Sequence, residues 1–330
     1  MKKFLALILS VFTAISLISC TNVEVQGDES YTIGVVDGAP ALAIANIANG
    51  YTYEDTSYKI ETAVQVAPQP QNIIAGLVNG DLDMAIIPLN LGSKLYNESK
   101  SLNLKLASVN IFGCLYMIGK NDIESLNDLK GKVVYTVGEN GTPEIIFNYL
   151  LTQLGISYEY GDEVTDTEKV YVKIAQAQEI MVGFKQNTID YAILGEPVVS
   201  KINGNTGTHV VLDLQQEWKK YFPEGKFVQA GLVVNGEVAK KSEYINSLLE
   251  KLSQNEQFAI ENIDSLKDIY TKLGSSVLVM NFNEGIIDRC NIGCSKASNE
   301  KANVEAFLTA VKNFKAPLIG GQLPGEDFYL

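Results

Sequence analysis

The sequence is poor in positively charged side chains, and arginine is almost absent. Its 330 residues include 26 lysines and arginines against 39 aspartates and glutamates, so the formal net charge is −13 at pH 7. Arg289 is the single arginine. An acidic body of this kind repels polyanions and anionic lipid surfaces. The composition therefore argues against nucleic acid as a partner.

Histidine is equally scarce, and its scarcity limits the chemistry that the chain can perform. The single histidine, His209, is far in sequence from the cysteines, which disfavours a zinc site. No nucleophile and base occur at a recognisable spacing. We therefore expect no catalytic centre, no metal centre and no bound cofactor.

Long apolar runs are missing except at the N-terminus, and no other run is long enough to span a bilayer. Near the start, two lysines precede an apolar segment, and the sequence LISC at 17–20 resembles a bacterial lipobox. We expect residues 1–19 to be a signal peptide, Cys20 to be the lipidated mature N-terminus, and residues 20–30 to include a flexible tether. These features predict an extracytoplasmic protein of the cell envelope, anchored to the membrane by lipid.

Only three cysteines remain after Cys20, namely Cys114, Cys290 and Cys294. Outside the cytoplasm they permit one disulfide and leave one thiol over. Cys290 and Cys294 are the expected pair, although a regular helix would hold their Cα atoms near the upper limit for a disulfide. Cys114 is interpreted as a small buried hydrophobe rather than a reactive thiol.

One stretch of the chain recurs 107 positions later, since Gln71–Pro88 matches Gln178–Pro197. Each copy runs from a helical pattern through a polar break to an apolar run and a proline. Upstream of the copies, Tyr31–Pro40 and Lys132–Pro143 share a β-branched run, a glycine turn and a proline. The repeat predicts two similar α/β lobes, each built as strand, helix, strand, helix, strand.

The lobes are expected to be discontinuous in sequence. Residues 31–119 plus 227–330 form predicted lobe 1, and residues 120–226 form predicted lobe 2. The chain must then cross between the lobes twice, near Gly119–Asp122 and near Phe227–Asn235. Two crossing strands form a hinge, and two lobes on a hinge enclose a cleft.

Four segments together resemble a known family. They are DGAPALAIA at 37–45, NGDLDMAIIPLN at 79–90, LNDLKGKVVYTVGENGTPE at 126–144 and IDYAILGEP at 189–197. With the lipobox, they resemble the solute-binding proteins of ABC importers, in the branch that serves nitrate, sulfonate, taurine, bicarbonate and thiamine-pyrimidine precursors. The resemblance implies the type II periplasmic-binding-protein fold, with two Rossmann-like α/β lobes joined by two crossing strands. Because that fold also hosts unrelated activities, function has to be argued from the site.

The resemblance implies a ligand site made of turns that line the cleft. Strand-to-helix turns also place free backbone N–H groups at the carboxyl edge of a sheet, where open α/β folds bind ligands. Both arguments reach the same turns. The expected site residues are Gly38, Ala39 and Pro40; Pro88, Leu89 and Asn90; Gly141, Thr142 and Pro143; and Glu196, with Cys114 and Tyr116 beside the hinge.

Several of these residues have a purely structural alternative. Thr142 is expected to cap the following helix, whether or not it also faces the cleft. Asn90 could serve only as a helix cap. Asp83 and Asp190 recur at matching positions, and we interpret them as residues that fix the turn before each strand rather than as paired catalytic acids.

The charge of the expected site bears on its ligand. Arg289 lies outside every cleft turn, so an anionic solute would depend on backbone N–H groups, hydroxyls and helix dipoles. Glu196 could merely end a strand, or it could accept a hydrogen bond from a solute that carries a donor group, such as an amine.

These observations favour a non-catalytic binding lipoprotein. It would capture a small organic or anionic solute between its lobes and, as a monomer, deliver it to an ABC permease and its ATPase. Two alternatives stay open. One is an enzyme on the same fold, either a dehydratase or similar to a pyrimidine synthase, which the lipobox disfavours. The other is a ligand sensor whose closed lobes contact a membrane receptor.

Overall fold

The structure is a computed structural model, and it describes residues 29–56 and 58–330. The predicted signal peptide, Cys20 and most of the predicted tether lie outside the described residues. The first strand begins at Glu29, two residues earlier than the predicted Tyr31. Within the described ranges, no helix is both long and apolar enough to cross a membrane.

The strands form two sheets. They are β1 (Glu29–Val36), β2 (Tyr51–Glu54), β3 (Lys59–Ala67), β4 (Met84–Pro88), β5 (Lys105–Ile111), β6 (Leu115–Gly119), β7 (Val133–Thr136), β8 (Tyr158–Tyr160), β9 (Val170–Ile174), β10 (Tyr191–Gly195), β11 (His209–Asp213), β12 (Ala230–Val234) and β13 (Ile292–Lys296). The first sheet has the order β13-β5-β12-β4-β1-β3-β2, and the second has the order β11-β6-β10-β7-β9-β8.

Helices cover the faces of both sheets. They are α1 (Ala39–Leu42), α2 (Pro70–Asn79), α3 (Leu89–Glu98), α4 (Thr142–Gln153), α5 (Ala177–Gln186), α6 (Val198–Thr206), α7 (Leu214–Lys219), α8 (Ser242–Ser253), α9 (Asn255–Glu261), α10 (Ile263–Lys272), α11 (Glu284–Cys290) and α12 (Ala297–Lys315). After β1 the chain forms the short α1 and then a 3₁₀ turn at Ala45–Ile47.

The two sheets share one strand order at their centres. In the first, β1 is parallel to β3 and β4, and β12 lies antiparallel to β4. In the second, β7 is parallel to β9 and β10, and β6 lies antiparallel to β10. β6 and β12 each reach their sheet from the other lobe. This confirms the predicted fold of two α/β lobes joined by crossing strands.

The first crossing lies earlier in the chain than predicted. Leu115–Gly119 pairs within the second sheet, so the chain changes sheets at residues 112–114 rather than near Gly119–Asp122. The second crossing ends in β12, inside the predicted Phe227–Asn235. A fully apolar strand carries no local signal of the sheet it joins, which explains the shift. We keep the division into two lobes as a proposal, with its first boundary moved to residues 112–114.

The repeated glycines have the same packing role in both lobes. A Cβ atom on Gly76 in α2 would lie 2.7 Å from Leu82 Cδ1, and one on Gly183 in α5 would lie 2.3 Å from Ile189 Cδ1. Both distances are too short for a real carbon pair. Each helix can therefore approach the chain before its following strand only because glycine stands at the contact.

An aromatic cluster packs the lobes together near the hinge. Trp218 of α7 is 1% exposed and stacks on Phe222 with ring centroids 4.4 Å apart. Its ring also meets Phe227, which leads into β12, at 5.3 Å and Phe307 of α12 at 6.5 Å. The only tryptophan of the chain is thus a core residue rather than a platform for a ring-shaped ligand.

Candidate functional site

The predicted cleft turns all follow the carboxyl ends of parallel strands. In the first lobe, Gly38 follows β1, and Leu89 follows β4 directly. In the second, residues 137–141 join β7 to α4, and Glu196 follows β10. Because β1 and β4 are parallel neighbours, as are β7 and β10, the two turns of each lobe share one edge of its sheet.

The turn after β1 is fixed by a distant segment. The Asp37 carboxylate accepts hydrogen bonds from the backbone N–H groups of Ser276 and Val277 at 2.7 and 3.1 Å. The Ser276 hydroxyl donates to it as well, at 3.0 Å. Gly38 follows with φ 118°, a backbone conformation that glycine adopts without strain. The segment that holds this turn lies about 240 residues away, so the sequence offered no signal for it.

Asn90 is a buried polar residue at the start of α3. The helix begins at Leu89 with Pro88 at its N-cap position, so Asn90 is the second helical residue and does not cap. It is 2% exposed, and its Oδ1 atom has no hydrogen-bond partner among the described residues. A buried acceptor of this kind is costly unless a solute or a water satisfies it.

The turn before α4 differs from the prediction, because Gly141 rather than Thr142 occupies the N-cap position. Thr142 is the first helical residue and is 6% exposed. The glycine takes the extended geometry of the cap, while the Glu144 carboxylate accepts a hydrogen bond from the backbone N–H of Asn140 and so secures the loop. The expectation that Thr142 caps this helix was therefore wrong.

Thr136 adds a second buried polar atom at this edge of the second sheet. It is the last residue of β7, it is fully buried, and its Oγ1 atom has no partner among the described residues. Sequence reasoning missed it because it reads as part of an apolar strand. Its position directly before the glycine turn is the one signal that could have found it.

Glu196 is held by protein groups. Its side chain is 0% exposed. One carboxylate oxygen accepts hydrogen bonds from Arg289 Nε at 2.7 Å and from the Ser200 hydroxyl at 2.8 Å. The other accepts from the backbone N–H of Ser200 at 3.0 Å. The carboxylate that we expected to meet a donor on the solute is thus engaged by three protein donors.

Tyr116 and Arg289 extend this cluster. Arg289 belongs to α11 of the first lobe, and its Nη2 donates to the Ser200 hydroxyl at 2.8 Å. The Tyr116 hydroxyl in β6 donates to the backbone carbonyl of Arg289 at 3.0 Å. Arg289 lies outside the cleft turns in sequence, as expected, yet in space it meets Glu196. Its being the only arginine was the one feature that could have drawn attention to it.

Gln229 ties the two crossing segments together. Its backbone N–H donates to the carbonyl of Ile111 at 2.9 Å, and its Oε1 accepts from the Cys114 N–H at 3.1 Å. Its carbonyl accepts from the Leu89 N–H at 3.0 Å, so the hinge is bonded directly to the turn before α3. Movement at the hinge and the position of that turn are therefore linked.

Neither thiol near the hinge forms a disulfide. Cys114 and Cys290 are buried, and all three cysteines of the described chain are free, so the expected disulfide between Cys290 and Cys294 is absent. The two residues lie in different elements, α11 and β13, instead of one helix. Burial, reinforced by the charge of Glu196, raises the pKa of Cys114 to about 12. Cys114 is thus a small buried residue, as predicted.

The repeated aspartates differ in their surroundings. The Asp83 carboxylate accepts a hydrogen bond from the backbone N–H of Thr32 at 2.8 Å, and so fixes the chain before β4 against β1. Asp190 is exposed. The predicted structural role is therefore confirmed for Asp83. Among the described residues, no group of histidine, cysteine, aspartate and glutamate is placed to hold a metal ion.

Solved structures share this fold. An ABC transporter from Parabacteroides distasonis is 22% identical with a TM-score of 0.72, and the alignment covers 91% of this chain and 98% of that chain. The periplasmic aliphatic sulphonate binding protein SsuA from Escherichia coli is 14% identical with a TM-score of 0.65, over 91% of this chain and 92% of that chain.

A third similar structure is the ligand-binding component of an ABC-type import system from Staphylococcus aureus with zinc bound. It is 13% identical with a TM-score of 0.61, over 92% of this chain and 96% of that chain. No family model and no curated protein sequence matches this chain. At these identities the likeness concerns the fold, and it confirms the two-lobed fold of the solute-binding proteins of ABC importers.

Proposed function

We propose that this protein is an extracytoplasmic solute-binding lipoprotein, which captures a small organic or anionic solute between its lobes and delivers it to an ABC importer. The observation that carries the proposal is the shared strand order of the two sheets, with one crossing strand in each. Two lobes built alike and joined by two short crossings can close on a solute and reopen. Closure is then the state that the permease recognises.

The polar groups at the strand ends support a small polar solute. Asn90 in the first lobe and Thr136 in the second each carry a buried oxygen without a partner. Apart from the Leu89 N–H, which donates to the Gln229 carbonyl, the first turns of α3 and α4 add backbone N–H groups that their own helices do not satisfy. A solute with both donor and acceptor atoms would satisfy these groups.

An anionic solute would rest on helix N-termini rather than on a free guanidinium, because the only arginine is paired with Glu196. One similar structure is an aliphatic sulphonate binding protein, so sulfonates belong in the first set of compounds to test.

Mass spectrometry of protein purified without refolding would identify a solute that is retained. A thermal-shift panel of sulfonates, oxyanions and aminopyrimidines would follow. A solute at about 100 times its Kd adds about 2.7 kcal/mol to stability and therefore raises Tm. If nothing co-purifies and no compound raises Tm, the binding function is wrong.

The lipid anchor is tested on the full chain in cells. Wild-type protein is expected in the membrane fraction, and a Cys20→Ala variant in the soluble extracytoplasmic fraction. An equal distribution of the two proteins would contradict the lipid anchor and would have no bearing on the proposed solute site. A permease and an ATPase that co-purify with the anchored protein would support transport; a receptor kinase in their place would support the sensor instead.

A further inference from the structure

One residue of the first lobe forms three hydrogen bonds with the second lobe. Arg289 of the first lobe contacts three residues of the second. Its Nε donates to Glu196 at 2.7 Å, its Nη2 donates to Ser200 at 2.8 Å, and its carbonyl accepts from Tyr116 at 3.0 Å. These three residues come from β6, α6 and the turn between β10 and α6.

Both ends of this contact are rigid. On the first lobe, Ile286, Ile287 and Cys290 are buried in its core, so the helix that carries Arg289 is fixed. On the second lobe, the Glu196 N–H donates to the carbonyl of Cys114 at 2.9 Å. A change in the angle between the lobes would therefore act directly on this contact.

The burial of Glu196 makes the loss of this ion pair more costly than the loss of a surface pair. The Glu196 side chain is 0% exposed, and that of Arg289 is 39% exposed. A buried carboxylate that loses its cation remains poorly solvated, which is costly. When the lobes open, either Glu196 stays buried without its cation, which is unfavourable, or water has to enter and solvate it.

Other polar contacts link the lobes within the described residues. Where the chain leaves the second lobe, the Lys226 N–H donates to Asn303 Oδ1 of α12 at 3.0 Å, and Lys226 Nζ donates to the buried Glu300 carboxylate at 3.5 Å. Lys201 Nζ donates to the carbonyl of Ser276 at 3.3 Å, and Lys315 Nζ donates to Asn140 Oδ1 at 2.9 Å. Both of these lysine contacts are exposed contacts of flexible lysines, and contacts of this kind contribute little. The contact of Arg289 with Glu196, Ser200 and Tyr116, called the inter-lobe latch below, differs from these because a single residue of the first lobe bonds to three residues of the second, one of them a fully buried carboxylate.

We propose that Arg289 is a positioning residue that latches the second lobe against the first and so favours the closed arrangement before any solute enters. The proposal rests on the proposed solute-binding function, in which closure creates the binding-competent state. The apparent Kd of a solute is inversely related to the fraction of protein in that state. Arg289 therefore raises affinity without being required to touch the solute.

The test measures the distance between the lobes in protein free of solute. Spin labels on Val78→Cys and Val182→Cys report on α2 of one lobe and α5 of the other, since both positions are about half exposed. The background is the full chain with Cys20→Ser and Cys294→Ser, because Cys114 and Cys290 are buried. Pulsed electron paramagnetic resonance then gives the distribution of distances.

Arg289→Gln and Glu196→Gln are each expected to broaden the distribution and move it to longer distances. Arg289→Lys keeps the charge but loses the guanidinium's two parallel donors. Its distance distribution should lie between those of the two Gln variants and that of the wild type. The matched control is Lys173→Gln, which removes an ion pair with Asp162 inside the second lobe and should leave the distances unchanged.

If Arg289→Gln and Glu196→Gln fold and keep the wild-type distribution, the latch is wrong. If Arg289→Gln does not fold, Glu196→Gln and Ser200→Ala provide the same readout. For an identified solute, Arg289→Gln is expected to raise the apparent Kd by about threefold to tenfold, in proportion to the lost closed fraction. Unchanged distances with intact solute binding would reject the latch alone; changed distances with no solute found would reject the function alone.

Discussion

Arg289 and Glu196 lie 93 positions apart in the sequence and form an ion pair of 2.7 Å between the lobes, with the Glu196 side chain fully buried. Their separation in sequence exceeds the reach of any local pattern. The pair also defines the charge of the candidate site, because it engages the only guanidinium of the chain.

A double-mutant cycle should show that the two side chains act together. Arg289→Gln and Glu196→Gln are each expected to lower the free energy of unfolding, because each leaves one partner unpaired. The double variant should lose less than the sum, with a coupling energy of about 1–3 kcal/mol. Urea unfolding of the four proteins measures this coupling energy.

The control cycle uses the exposed pair Lys173 and Asp162. Lys173→Gln and Asp162→Asn should couple by less than about 1 kcal/mol. Equal coupling in both cycles would contradict the special environment of Glu196.

Thr136→Val should separate binding from stability. The hydroxyl is buried without a partner, so its replacement by a methyl group of the same shape is expected to stabilise solute-free protein by about 1 kcal/mol. If the solute satisfies that hydroxyl, the same change weakens binding by about tenfold. Calorimetry with the identified solute and urea unfolding give the two values.

The matched control for that change is Thr152→Val. The Thr152 hydroxyl donates to the carbonyl of Asn148 within α4. Its loss should leave solute affinity unchanged. Equal effects of both variants on affinity would remove Thr136 from the site.

Asn90→Ala is expected to weaken solute binding by about tenfold, because a donor group on the solute would lose its buried acceptor, the Asn90 Oδ1. The second helical residue does not cap α3, so the helix itself should be little affected. Calorimetry and circular dichroism distinguish the two effects. Intact affinity in a folded variant would show that Asn90 does not touch the solute.

Gly113→Ala should disrupt the hinge. Gly113 has φ 88°, and a Cβ there would lie 2.2 Å from Phe227 Cδ1 and 2.6 Å from Gln215 Cγ. Strain and overpacking together are expected to cost about 2–4 kcal/mol in urea unfolding. Gly204→Ala is the control, since Gly204 is an exposed residue of α6 with open space around it, and should stabilise by about 0.5–1 kcal/mol. Similar effects at both positions would contradict the packing argument.

Alkaline pH should weaken the protein partly through Cys114. Its pKa is raised from an ordinary 9.0 to about 12, so the folded state keeps a proton that the unfolded state releases. The stabilisation from this thiol is complete below pH 9 and is lost as the pH rises towards 12, at up to about 1.4 kcal/mol per pH unit. Urea unfolding between pH 8 and 11 should show a shallower decline in Cys114→Ala than in the wild type. Identical slopes would mean that this thiol does not contribute.

Much of the fold could be predicted because its signals are local. The helix and strand of each repeat show the apolar spacing of a helix and of a buried strand, and proline and glycine mark the turns between them. Gly76 and Gly183 match because each lobe needs the same close approach of helix to strand. The two lobes, their order and the strand-end turns therefore follow from the amino-acid sequence alone.

The remaining features depend on contacts between distant residues. The tertiary structure alone decided that β6 joins the second sheet, because an apolar strand can pair in either sheet. It also decided that Gly141 takes the cap in place of Thr142, and that Glu196 meets Arg289 rather than open space. Such contacts exist only once the hinge has placed the lobes together, and no periodicity in the sequence encodes that placement.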